Sequence, residues 1–210
     1  MTRLWWALGL LALAVAPIGR AAPTAVAAER VIVAFGDSLT AGLGVPAERA
    51  YPAVLEQRLR AEGYPYRVVN AGVSGDTTAG GLRRVDWSLR SNPDIAIVEL
   101  GANDALRGQD LPGVRANLDR LVERFQSSGV RVLLAGMKLP PNYGTRYGAA
   151  FERLYADVAA SRGVALMPFF LDGVAGDLRL NQPDGIHPTA EGYRMIVGRL
   201  WPHLVPLLRR

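Results

Sequence analysis

Five apolar stretches rich in β-branched residues, at 31–35, 66–71, 94–100, 130–137 and 164–170, recur at regular distances along the 210-residue chain. Each reads as a strand buried on both faces, because an apolar run without polar alternation leaves no face for water. Between them lie segments whose apolar residues repeat at helical spacing: Tyr51, Val54, Leu55, Leu59; Val114, Leu118, Leu121, Val122, Phe125; Phe151, Leu154, Tyr155, Val158; and last Tyr193, Ile196, Val197, Leu200. The glycine-rich stretch 75–90 is read as a further helix. Pro52, Pro112 and Pro188 fall where first helical turns are expected, positions that need no backbone N–H. Strand and helix alternating through short connections predict an α/β fold with a parallel sheet covered by helices on both faces. In such a sheet the loops after the strands gather at one edge, where ligand sites form. The longest stretch without periodicity, 139–146, is expected to serve as a lid or pocket wall.

The first 27 residues follow different rules. Arg3 precedes an almost purely apolar stretch at 4–16, Pro17, Gly19 and Arg20 end it, and Ala25-Val26-Ala27 has the small-x-small pattern of a signal-peptidase site. This predicts a secretory leader over 1–27, a single domain over 28–210 and a periplasmic or secreted location. The apolar run is shorter than the roughly 20 residues that span a bilayer. Lys and Arg total 24 against 19 Asp and Glu; Arg3 and Arg20 belong to the leader, which leaves a net charge of +3 with no basic tract. That balance argues against a nucleic-acid partner. Cysteine is absent, which excludes disulfides, thiolate metal sites and a cysteine nucleophile.

The residues directly after the expected strands carry the chemistry: Gly36-Asp37-Ser38-Leu39, then Gly72-Val73-Ser74-Gly75-Asp76, then Gly101-Ala102-Asn103-Asp104, and Asp184-Gly185-Ile186-His187-Pro188 before the final helix. A serine hydroxyl becomes a nucleophile only when a base takes its proton, and an imidazole does this best when a carboxylate fixes its tautomer. Asp184 and His187, three apart across a glycine turn, meet that need in one loop, with Nδ1–H toward Asp184 and Nε2 toward Ser38. Donors for an oxyanion are available in the Ser38 amide, in a glycine amide of the second block, Gly72 or Gly75, and in the Asn103 side chain. Taken singly, Ser38 is equally a helix cap and Asp184-Gly185 a turn. Their joint order at strand ends favours catalysis. The other histidine, His203, has no acid near it in sequence and is read as structural; Lys138, the single lysine, is read as a solvated loop residue.

The segments "FGDSLTAG", "NAGVSGDTT", "GAND" and "DGIHP" resemble, in order and spacing, the four blocks of the SGNH, or GDSL, hydrolase family, over about residues 31–200. The resemblance implies a flavodoxin-like three-layer α/β/α sandwich on a five-stranded parallel sheet. It also implies Ser38 as nucleophile, His187 as base, Asp184 as orienting acid, and an oxyanion hole from Ser38, Gly75 and Asn103. No metal or organic cofactor is implied. The expected activity is hydrolysis of a small-molecule acyl ester or thioester through an acyl-enzyme, by a monomer making at most transient contact with membrane lipid. Leu106, Arg107, Leu139, Pro140 and Tyr143 are the candidates for the acyl pocket. Acetylated carbohydrate is the alternative substrate within the family. A flavodoxin-like phosphate-binding module lacks a P-loop lysine and leaves Asp184 and His187 without a role, and a phosphotransferase built on Asp37 would need a second aspartate where Leu39 stands.

Overall fold

The computed structural model describes residues 1–2 and 29–210; most of the expected leader, 1–27, lies outside the described residues. Five strands, β1 (Arg30–Gly36), β2 (Tyr66–Gly72), β3 (Ile95–Glu99), β4 (Arg131–Ala135) and β5 (Ala165–Met167), form one parallel sheet in the order β2-β1-β3-β4-β5. The five-stranded α/β/α expectation holds, and so does the alternation of strand and helix. The helices are α1 (Ser38–Ala41), α2 (Tyr51–Ala61), α3 (Thr78–Leu89), α4 (Ala102–Leu106), α5 (Leu111–Ser127), α6 (Thr145–Arg162) and α7 (Ala190–Leu204). Along the sheet α3, α5 and α6 pack side by side, and α2 packs with α7.

Local chemistry explains the boundaries. Asp110, Thr77 and Thr189 each cap a helix, accepting from the amide three residues on, at Gly113, Gly80 and Gly192. The α5 stripe of Val114, Leu118, Leu121, Val122 and Phe125 is fully buried, and Phe125 meets Phe35 of β1 edge to face at 5.5 Å. Central β3 is buried along its whole length. Pro188 departs from expectation. It lies one residue before the Thr189 cap of α7, outside the helix, paired in an antiparallel bridge with Asn181. The longest irregular stretch is also elsewhere, at 168–189 between β5 and α7, while 139–146 contains a 3₁₀ turn at Pro141–Tyr143 and the start of α6.

The chain order reverses across β1. It passes from β1 outward to β2 and then returns to the other side as β3, so the crevice beyond the carboxyl ends of β1 and β3 is the place where a ligand fits between diverging connections. Gly36 and Glu99 are register partners at that end, directly beneath Asp37-Ser38 and Gly101–Asn103.

Candidate active site

Ser38 opens α1 immediately beyond β1. Its neighbour Asp37 caps that short helix, Oδ1 accepting from the Leu39 amide at 3.0 Å, so the hydroxyl stands on a turn fixed from both ends. His187 Nε2 lies 2.9 Å from Ser38 Oγ across 149 residues of sequence, and His187 Nδ1 lies 2.7 Å from Asp184 Oδ2. A carboxylate can only accept, so Nδ1 carries the proton toward Asp184 and Nε2 offers its lone pair to the serine. Asp184 is itself held by the loop it belongs to: Oδ1 accepts from the amides of Ile186 and His187, each at 3.0 Å. Those two amides, with the imidazole contact, hold its carboxyl down to about 2, so it stays ionised at any working pH.

Two of the three expected oxyanion donors are backbone amides, of Ser38 and Gly75, and neither meets an acceptor among the described residues. Gly75 has φ +77°, a left-handed conformation that glycine adopts without strain. The alternative, the Gly72 amide, already donates to Asn70 Oδ1 at 3.0 Å. Gly72 ends β2, and a Cβ there would lie 2.2 Å from the Ala41 amide nitrogen, so its glycine lets α1 settle against the strand. The third donor, Asn103, sits on α4, where its Nδ2 donates to Asp37 Oδ2 at 2.8 Å. One carboxylate therefore ties the Ser38 turn to the Asn103 side chain.

A cavity of about 710 Å³ opens above these groups and contains Ser38, Gly75, Asn103 and His187 in its wall. Leu106, Leu139 and Pro140, expected at the acyl pocket, line it. Arg107 and Tyr143, expected with them, are absent from the lining, because both are engaged by backbone carbonyls: Arg107 Nη2 donates to Gly75 O at 3.0 Å and the Tyr143 hydroxyl to Leu106 O at 3.4 Å. They brace the loops that form the wall. Lys138 is an exposed loop residue, as expected, and also forms part of the lining, paired with Glu152 at 2.7 Å and set 5.5 Å from the Phe169 ring. Leu43, Met137 and Ile186 complete much of the apolar surface and were not anticipated. The Leu43 loop is fastened to the histidine loop by Gln182 Nε2, which donates to both Leu43 O and Pro188 O. His203 occupies the last turn of α7, roughly 20 Å along the helix axis from its start beside the site.

Residues 34–195 match the GDSL-like lipase/acylhydrolase family. The chain is 45% identical to esterase TesA of Pseudomonas aeruginosa over 183 residues, covering 87% of this chain and 91% of that one. It is 36% identical to thioesterase 1/protease 1/lysophospholipase L1 of Escherichia coli strain K12, covering 87% and 86%. The fold superposes on a crystal structure of TesA with a TM-score of 0.83 at 45% identity, covering 85% of this chain and all of that one.

Proposed function

The chain belongs to the GDSL-like lipase/acylhydrolase family and is an ester-hydrolysing serine esterase, and from that premise we propose that Ser38, His187 and Asp184 carry out acyl transfer on substrates whose acyl chain lies in the 710 Å³ cavity. The observation that carries the reading is the unbroken relay from Asp184 through His187 to Ser38, at 2.7 and 2.9 Å, on the wall of an apolar cavity. Ser38 Oγ attacks the ester or thioester carbonyl while His187 Nε2 takes its proton. The oxyanion forms against the amides of Ser38 and Gly75 and the Asn103 side chain. Collapse of the intermediate breaks the bond to the alcohol or thiol, which receives the proton from Nε2. Water, deprotonated by the same imidazole, then releases the acid and restores Ser38.

A fluorophosphonate probe followed by mass spectrometry of the labelled peptide tests these assignments. The adduct is expected on Ser38 and is expected to vanish in Ser38→Ala and to become very slow in His187→Ala. A folded wild-type protein that takes no label, or takes it elsewhere, removes Ser38 from the nucleophile's role.

The apolar lining supports medium or longer acyl chains over acetyl groups. Burying each methylene contributes about 0.8 kcal/mol, close to fourfold in kcat/KM while the chain still fits. With p-nitrophenyl esters, kcat/KM is therefore expected to climb from acetate through the medium chain lengths. A maximum at acetate would point to acetylated carbohydrate instead. The small-molecule ester is the substrate, and the proposed 1–27 leader would deliver the enzyme outside the cytoplasm, where lysophospholipids and other esters are more available than acyl-coenzyme A.

The acid side of the pH profile should be steep. Burial raises Asp37 to about 6, so lowering the pH through that value protonates the carboxylate that aligns Asn103. The imidazole base must be neutral as well, so its protonation removes activity on the same side of the profile. Two protons together give log kcat/KM a limiting slope approaching 2 below about pH 6. A slope of 1 would remove Asp37 from the profile, and undiminished activity at about pH 5 would remove His187 as the base.

A further inference from the structure

Beneath the nucleophile turn lies a second acid that no part of the relay uses. Glu99, the last residue of β3, is 0% exposed at the end of an otherwise wholly apolar strand. Its Oε2 accepts from the Thr40 hydroxyl of α1 at 2.8 Å and from the Asp37 amide at 3.4 Å. Thr40 Oγ1 in turn lies 3.5 Å from the hydroxyl of Tyr51 on α2. Glu99 Oε1 is buried with no partner among the described residues. The contact is close enough to dictate the residue at position 36: a Cβ there would lie 2.0 Å from Thr40 Oγ1 and 2.6 Å from Glu99 Oε2. The glycine that opens the Gly36-Asp37-Ser38 turn is thus required by the carboxyl pressed against it from below.

Two adjacent buried carboxyl groups do not both ionise readily, and the bonding of each one tells them apart. Asp37 has both oxygens matched to donors, the Leu39 amide and Asn103 Nδ2, an arrangement suited to a carboxylate. Glu99 has donors on one oxygen only, and as a carboxylate its orphaned Oε1 would place negative charge where no protein donor meets it, out of reach of bulk solvent. The ionisable neighbours that face Glu99 are Asp37 and the phenols of Tyr51 from α2, Tyr155 from α6 and Tyr193 from α7. No lysine, arginine or histidine bonds to it among the described residues.

We infer that Glu99 is a positioning residue for the esterase reaction, an uncharged carboxylic acid that clamps α1 and the Ser38 turn from beneath and leaves the pair's single negative charge on Asp37, where it aims the Asn103 amide. The inference rests on Ser38 being the nucleophile. Burial and the neighbouring Asp37 both push the Glu99 carboxyl upward, in keeping with this assignment.

Two readouts test it. In infrared difference spectra of wild type against Glu99→Gln, taken in D₂O at about pH 8, the wild type is expected to show the carbonyl stretch of a protonated carboxylic acid that the variant lacks. In kinetics, Glu99→Ala releases the turn and is expected to lower kcat about 10²-fold with little change in KM, since misplacement of reacting groups by about 1 Å costs that much. Glu99→Gln keeps the shape, a neutral group and both a donor and an acceptor, and is expected to recover most of the lost rate. Absence of the acid band overturns the charge state. Wild-type kcat in Glu99→Ala, or a folded Glu99→Gln as slow as the alanine variant, overturns the positioning role. Should Glu99→Ala not fold, the infrared spectrum and the glutamine variant still decide. Failure of the fluorophosphonate to label Ser38 in the wild type strikes the hydrolase assignment instead, and the infrared band does not depend on it.

Discussion

Replacing Asp184 by asparagine is expected to lower kcat by roughly 10³- to 10⁴-fold while leaving the fold and KM nearly unchanged. The expectation follows from how its two oxygens are used. Oδ1 accepts from two backbone amides, of Ile186 and His187, and Oδ2 accepts from the imidazole. An asparagine has one acceptor oxygen and one donor nitrogen, so whichever way it turns, NH₂ meets an N–H. If the amide faces the backbone, the loop that carries His187 loses its internal anchor. If it faces the ring, Nδ1 is driven to the unprotonated tautomer and Nε2, carrying the proton, can no longer accept from Ser38. Asp184 is 46% exposed on its side chain, so water will satisfy part of the mismatch and the lower end of the range is the firmer expectation. Steady-state kinetics on a p-nitrophenyl ester, with circular dichroism to verify folding, checks the result. A fall of less than about tenfold would mean that backbone packing alone orients His187.

The parts of this design that a sequence displays are those set by periodicity and by residues lying just past a strand. Val33, Ile97 and Leu133 announce buried strands because nothing polar interrupts them, and Ser38, Asn103, Asp184 and His187 stand out because each breaks such a pattern at a place where loops converge. Glu99 was hidden by the same logic. It is the final residue of a strand, two residues before the glycine and four before the asparagine that drew the chemical reading, and only the fold shows that its carboxyl turns inward under α1. An acid closing an otherwise fully buried strand was the available signal. Arg107 and Tyr143 were misassigned to the cavity because a polar residue near a pocket is as easily committed to a backbone carbonyl as to a ligand. The 168–189 segment has neither helical nor alternating spacing, so its length was legible only once Met167 was seen to end β5 and Thr189 to cap α7.

Asp37 should reveal a conflict between stability and rate. Its carboxylate is 1% exposed, and burial raises it to about 6 from the 3.8 of an ordinary aspartate. The Leu39 amide, His187 and Asn103 favour its charge; Asp76 opposes it, and Asp76 is in turn paired with Arg84 of α3 at 2.7 Å. A carboxyl raised on folding stabilises the native state below its unfolded value, near 3.8, and this contribution is lost as pH rises through about 6. Above that pH the enzyme holds a charge that folding disfavours, at a cost on the order of 1–3 kcal/mol. Asp37→Asn removes the charge and keeps the oxygen that caps the Leu39 amide. Its Tm is accordingly expected to exceed that of the wild type at about pH 8, with the advantage shrinking toward about pH 4. The rate moves the other way, because the new NH₂ faces Asn103 Nδ2, donor against donor, and turns the oxyanion amide from its place. Loss of one such donor lowers kcat roughly 10²- to 10³-fold. Thermal unfolding and kcat measured side by side across that pH range test both halves. A variant that is less stable than wild type at about pH 8, or one that keeps its rate, would show that the charge on Asp37 is neither the strain nor the aligning force assigned to it.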